Sequence, residues 1–365
     1  MGPTLIFDKS TLQTLSFDEA VWLDQFYNVN ITPMFFVETL VDLEKEVRAG
    51  KTQEEIVGQI AGRTPIMHSY VNAHYRYLLE GELSGQGEVE MLGRPVIPGG
   101  RVVKLGNETG VIHEAPQEIE AFQRWQKGDF LSVERDIAKH WRSDLLENSA
   151  PYLGIFQEVL SDIKIHKNLD ELIEQTKRII DETEQEQILL MGLCLIGASP
   201  SLCREALEVW KTKGHLTIRG AFPYFTHIIS IDLFYYLGTT SGLLREYRHP
   251  QTHKIDLAYL YYLPFCNIFV SNDKFQLAVA PYFLNEEQEV ISGARMKEDL
   301  NRLDDHFDKV TSSEEKNRGV CSFALIPPDD PSFIVVGLWD KFMAPKWREM
   351  RPRRFDGSDK IDAQK

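Results

Sequence analysis

KIDLAYLYYLPFCNIFVSNDK, residues 254–274, decides how the fold is read. A mostly apolar, aromatic stretch carries an aspartate near each end. Asp256 stands just before an apolar run, and Asp273 just after a short β-rich run, Asn267–Val270. One reading makes the two acids a helix cap and a turn residue, which is what aspartate does best in such places. The other has them converge on one end of a sheet. The rest of the chain bears on which reading holds.

Working outward, TLIFD at residues 4–8 reads as a short buried strand ending on Asp8, and Ser16 is placed to cap the amphipathic helix that follows. Val29–Thr32 reads as a second strand. Pro33 then opens a helix with Phe36, Leu40 and Leu43 on one face. Strand, helix, strand, helix within 47 residues is the opening of an α/β fold.

From Arg48 the pattern changes. KTQEEIVGQIAGRT reads as a charged helix, and RVVKL with GVIHE as a hairpin around Asn107–Gly110. Helical patterns run from Glu118 to Trp210, clearest where Leu169, Leu172, Ile173, Thr176, Ile179 and Ile180 share a side. The expected organisation is a core half at 1–47, a mainly helical insertion at 48–219, a second core half at 220–285 and a C-terminal extension at 286–365. The extension carries a helix at Glu298–Phe307 and two runs read as β-rich, CSFALIP and SFIVVGLW.

The 365 residues can bury a sizeable core, and a net charge of −15 argues against coating nucleic acid through bulk electrostatics. A local patch can still bind it. The tail KFMAPKWREMRPRR, residues 341–354, mixes cations, Arg351 and Arg353 among them, with Trp347, a combination suited to phosphate contact and base stacking. The most apolar runs are too short to cross a bilayer, so no membrane role is expected and the chain reads as cytoplasmic. Cys194, Cys203, Cys266 and Cys321 have no CxxC pairing and read as buried thiols.

In a parallel α/β sheet, functional groups gather outside the carboxyl ends of the strands. Asp8 ends the first strand, Asp273 follows the strand CNIFV, Asp256 opens the helix leading into that strand, and Glu38 lies about one turn into the helix begun at Pro33. All four can face one crevice. Clustered carboxylates repel one another unless a cation neutralises them, and hard oxygen ligands favour Mg2+ or Mn2+ over zinc. Such a centre polarises a phosphoryl oxygen and activates water, with no covalent nucleophile required. No GxSxG elbow, phosphate loop or Rossmann glycine fingerprint is present.

FDKST (Asp8, Ser10), FFVETLVDLEK (Glu38), KIDLAYLYYL (Asp256) and IFVSND (Ser271, Asp273) together resemble the PIN-like nuclease superfamily. The resemblance covers residues 1–47 and about 222–285, split by the long insertion. It implies a PIN-like open parallel sheet flanked by helices, to which the helix and β-rich runs of residues 286–365 add a C-terminal α+β extension. It also implies a Mg2+- or Mn2+-dependent endoribonuclease, often a growth-arresting toxin or defence effector answered by a cognate inhibitor or antitoxin. Asp8, Glu38, Asp256 and Asp273 are then the metal-binding and water-orienting acids, with Ser10 and Ser271 as their hydrogen-bond partners. The substrate is nucleic acid, RNA before DNA, and oligomeric state, a homo-oligomer included, is left open. The rival reading is a PIN-like fold that binds without cutting.

Around this core, RHPQTHKID places His249 and His253 near Asp256, where His253 or Lys254 could touch phosphate at a crevice mouth. Arg219, Arg245 and Arg248 are further phosphate candidates. The run Tyr259, Tyr261, Tyr262 and Phe265 reads as core rather than a stacking platform.

Overall fold

The computed structural model describes residues 2–44, 50–99, 101–105, 108–112, 117–137, 140, 167–214, 216–244 and 256–349. His249, His253, Lys254, Arg245, Arg248, Arg351 and Arg353 lie outside these residues.

Two runs without polar interruption, Leu5–Phe7 and Ile268–Val270, cannot be covered on one face only, and they pair side by side in parallel at the centre of a sheet. The strands are β1 (Thr4–Phe7), β2 (Asn28–Ile31), β3 (Ser69–Val71), the hairpin strands β4 (Arg101–Leu105) and β5 (Glu108–Ile112), β6 (Ile268–Ser271) and β7 (Glu289–Ser292). Five of them form one all-parallel sheet in the order β3-β2-β1-β6-β7, while β4 and β5 pair antiparallel as expected. The chain starts in the middle strand, winds outward through β2 and β3, then returns to build β6 and β7 on the other side. The direction of winding therefore reverses between β1 and β6.

The connections follow local rules. Ser16 and Glu19 make a reciprocal capping box on the Phe17–Phe26 helix, and Pro33 takes the first turn of the Pro33–Val41 helix behind the Thr32 cap. Trp22 of the Phe17–Phe26 helix stacks on Phe307 of the Gly293–Val310 helix, ring centroids 4.6 Å apart. The long Pro223–Thr240 helix is buried nearly all round, which explains why its sequence shows no polar face.

Some expectations need correction. The segment 48–219 is largely helical among its described residues, yet it also supplies β3 to the main sheet, and β7 falls within the segment read as an extension. The run SFIVVGLW is not β: Ile334–Phe342 is a helix, and CSFALIP holds only a 3-10 turn at Val320–Ser322. Val335, Val336, Leu338 and Trp339 are buried at i, i+1, i+3 and i+4, a helical stripe that β-branched residues disguise. Asp299 supports that helix from a distance, its carboxylate accepting from Ile334 N at 2.8 Å and Val335 N at 3.0 Å. Of the four thiols only Cys266 is buried; Cys194 and Cys321 are exposed. No helix among the described residues is long and apolar enough to cross a membrane.

Candidate functional site

A crevice opens where winding reverses in an open parallel sheet, because the loops leaving neighbouring strands turn away from each other. Here the loop after β1 carries Asp8 and the loop after β6 carries Asp273. A cavity of about 610 Å³ lies there, lined by Asp8, Glu38, Asp256 and Asp273 together, and by Ser10, Tyr259 and Gln276. All four acids marked in the sequence thus line one cavity. Gln13, Thr14, Asn272 and Lys297 line it as well.

Asp8 and Asp273 each cap the helix they precede. Asp8 Oδ1 accepts from Thr11 N at 2.8 Å, and Asp273 Oδ1 accepts from Gln276 N at 2.8 Å. Asp273, read from the sequence as either a turn residue or a converging acid, is a helix cap that lines the cavity, and the cap fixes where its carboxylate points. The two serines flank Asp8. Ser10 Oγ donates to Asp8 Oδ2 at 2.5 Å, while Ser271 Oγ lies 3.0 Å from the same oxygen and 2.7 Å from Gln276 Oε1. Ser271 also accepts from Asp273 N at 2.9 Å, so one hydroxyl ties both strand-end acids together. Gln276 Nε2 donates to the Asp256 carbonyl at 2.9 Å, locking the start of the 256–260 helix to the same hub.

Glu38 is held differently. Its Oε1 lies 3.2 Å from the buried Lys9 Nζ, and its Oε2 accepts from the Tyr259 hydroxyl at 2.7 Å. Burial alone would lower the Lys9 pKa, but Glu38 and Asp42 outweigh it and the net shift is upward, so Lys9 stays charged. Asp256 is the opposite case. Among the described residues no donor reaches its carboxyl, and burial followed by the charges of Asp273, Glu38 and Asp8 pushes its pKa up to about 8. A carboxyl in that position takes either a proton or a cation.

The donor set is therefore right in kind for a hard divalent cation: oxygen only, mutually repelling, with one acid lacking a hydrogen-bond donor among the described residues. Its present spacing is wider than coordination requires. Among the described residues, no three His, Cys, Asp or Glu groups stand close enough to hold a metal ion. Lys9 and Tyr259 hold Glu38 in the arrangement seen, and an ion would have to draw the acids inward.

Four participants escaped the sequence reading of the site. Tyr259 stands three positions after Asp256 on the same helix, and Gln276 three after its capping Asp273, so both spacings were visible. Lys9 and Lys297 carry no such signal. Arg219 pairs with Asp181 at 3.1 Å and is not part of the cavity lining. The tail reading also changes: Trp347 is 1% exposed, packed on Trp339 and hydrogen-bonded to Asp340, while Arg348 is held by Asp340 and Asp329. Trp347 is core and cannot stack on a base. Comparison of the chain with protein families, with curated proteins and with solved structures finds no match.

Proposed function

We propose that this crevice is the centre of a PIN-like, Mg2+- or Mn2+-dependent nuclease that hydrolyses phosphodiester bonds, RNA before DNA. The observation that carries the reading is the set of four acids from four separate elements around one cavity at the β1/β6 reversal. Asp8, Asp256 and Asp273 are the residues that would hold the ion, which supplies charge for the phosphoryl oxygen and a more acidic water. Asp256 would give up any proton it carries on binding the ion. Ser10 and Ser271 keep Asp8 oriented, and Tyr259 keeps Glu38 turned toward the cavity, where it can take a proton from an attacking water.

The test is a Mn2+ titration by calorimetry alongside cleavage of a labelled RNA. Wild type is expected to bind and cleave. Asp256→Asn, which replaces the carboxyl by a neutral group of the same shape, is expected to lose both. Asp8→Asn is expected to lose cleavage at an unchanged melting temperature, since asparagine caps a helix as well as aspartate does. One observation favours the rival, a PIN-like fold that binds without cutting: Lys9 already satisfies Glu38. A wild-type protein that binds no Mn2+ would decide for that rival.

A further inference from the structure

A cavity lined by four acids repels a polyanion, and a chain with net charge −15 has little general attraction to offset that. Any phosphodiester reaching these acids needs positive charge at the cavity itself, and beyond a bound metal ion that charge has to come from the protein. Among the described residues, the cavity lining contains one cationic side chain, Lys297, on the second turn of the Gly293–Val310 helix. Its side chain is 40% exposed, and its Nζ lies 2.6 Å from Glu19 Oε2 and 2.7 Å from the Thr14 carbonyl.

Glu19 is a fixed partner rather than a mobile one. It is buried, and the same Oε2 accepts from Ser16 N at 2.6 Å as part of the capping box. Lys297 therefore rests at the rim on an anchored carboxylate, and its four-carbon stem is flexible enough to bring the ammonium to the cavity once that pair is exchanged. Beside it, the Asn272 amide sits where a side chain at position 293 would stand: a Cβ on Gly293 would come within 2.6 Å of Asn272 Nδ2. Glycine at 293 thus leaves room at the same rim for the neutral Asn272 amide, whose Nδ2 donates only a long 3.5 Å hydrogen bond to Thr14 Oγ1.

We propose that Lys297, with Asn272 beside it, is the phosphate contact of this crevice, and that a nucleic-acid phosphate displaces Glu19 as its partner. The inference rests on reading the crevice as a phosphodiester site, and names how that substrate is held. No bond is made or broken; one ion pair is exchanged for another, releasing counterions from the strand.

The experiment measures binding of a fluorescent 2′-O-methyl RNA, which resists cleavage, to the full chain by anisotropy across a NaCl series without divalent ions. Lys297→Met is expected to weaken binding about tenfold and to lower the log–log salt slope by about 0.7, one phosphate contact on a single strand. Lys297→Arg is expected to keep the slope. Glu19→Gln, which keeps the cap but releases the ammonium, is expected to bind more tightly than wild type. Lys297→Met binding with the wild-type slope overturns the proposal. A wild type that fails to cleave unmodified RNA in Mn2+, while Lys297→Met still lowers the slope, removes the hydrolytic reading alone and leaves the phosphate contact standing.

Discussion

Lys9 Nζ lies 3.2 Å from Glu38 Oε1 and 3.0 Å from both Asp42 carboxylate oxygens, so a buried ammonium stands directly behind one of the crevice acids. Its side chain is 5% exposed and that of Asp42 7%. Removing one partner of such a group strands the other charge out of water. Lys9→Met is expected to cost roughly 3–5 kcal/mol of stability, and Lys9→Met with Asp42→Leu to recover most of it, because the pair then leaves together. Urea denaturation of the two variants checks this; a single variant as stable as wild type would show that solvent reaches the pair.

Asp256 gives the fold a slope in pH. Its carboxyl sits at about 8 in the folded chain against an ordinary 3.8, so folding takes up a proton between those values. The stabilisation from that proton is complete below about pH 4 and disappears as pH rises through about 8. Asp256→Asn carries no charge at any pH. Its stability advantage over wild type should grow from pH 4 to 8 and stay level above that, as read by thermal melts at a series of pH values.

His227 works in the other direction and on the acid side. It is buried against the Leu260 carbonyl, 2.9 Å from Nε2, and burial lowers its pKa to about 4 from an ordinary 6.5. A depressed histidine contributes stability that is present above the unfolded value and lost as pH falls through the folded one. Between about pH 6.5 and 4 wild type should lose stability. His227→Gln, which keeps a donor for the carbonyl, should flatten that loss when the same melts are run.

The Pro223–Thr240 helix has no side-chain cap of its own, and Glu82 from another helix supplies one. Its carboxylate accepts from Tyr224 N at 3.0 Å and Phe225 N at 2.8 Å, and burial raises its pKa despite those bonds. Glu82→Met leaves two buried amide hydrogens without acceptors and is expected to cost roughly 2–4 kcal/mol. The midpoint of urea unfolding should fall with its slope unchanged; an unshifted midpoint would mean that the helix start finds another acceptor.

What was legible in the sequence was whatever depends on neighbours along the chain. Ser16, Thr32 with Pro33, and the two strand-end acids announce themselves through capping chemistry, and the α/β opening follows from them. What was hidden depends on partners far away in sequence. Ile334–Phe342 passes for a strand because Val335 and Val336 favour one, and only the remote Asp299 settles its helical start. Trp347 looked like a free ring among cations because its partners, Trp339 and Asp340, are visible only once the helix turns them toward it. Lys9 lies next to Asp8 in sequence, yet its ammonium is committed to Glu38 and Asp42, 29 and 33 positions on.

β1 gains its second neighbour in the sheet long after its first. One edge of β1 meets β2 almost at once, through Thr4 opposite Asn28, but its other edge waits for Ile268 opposite Leu5. At ordinary synthesis rates that interval is roughly 10–50 s, during which an apolar strand keeps an open row of amides and carbonyls. Asp8 and Asp273, joined through the Ser271 hydroxyl, cannot meet before then. Until β6 emerges the crevice acids stay apart and β1 stays open along one side, which makes chaperone dependence, rather than intrinsic instability, the expected cause if yields from rapid expression are poor.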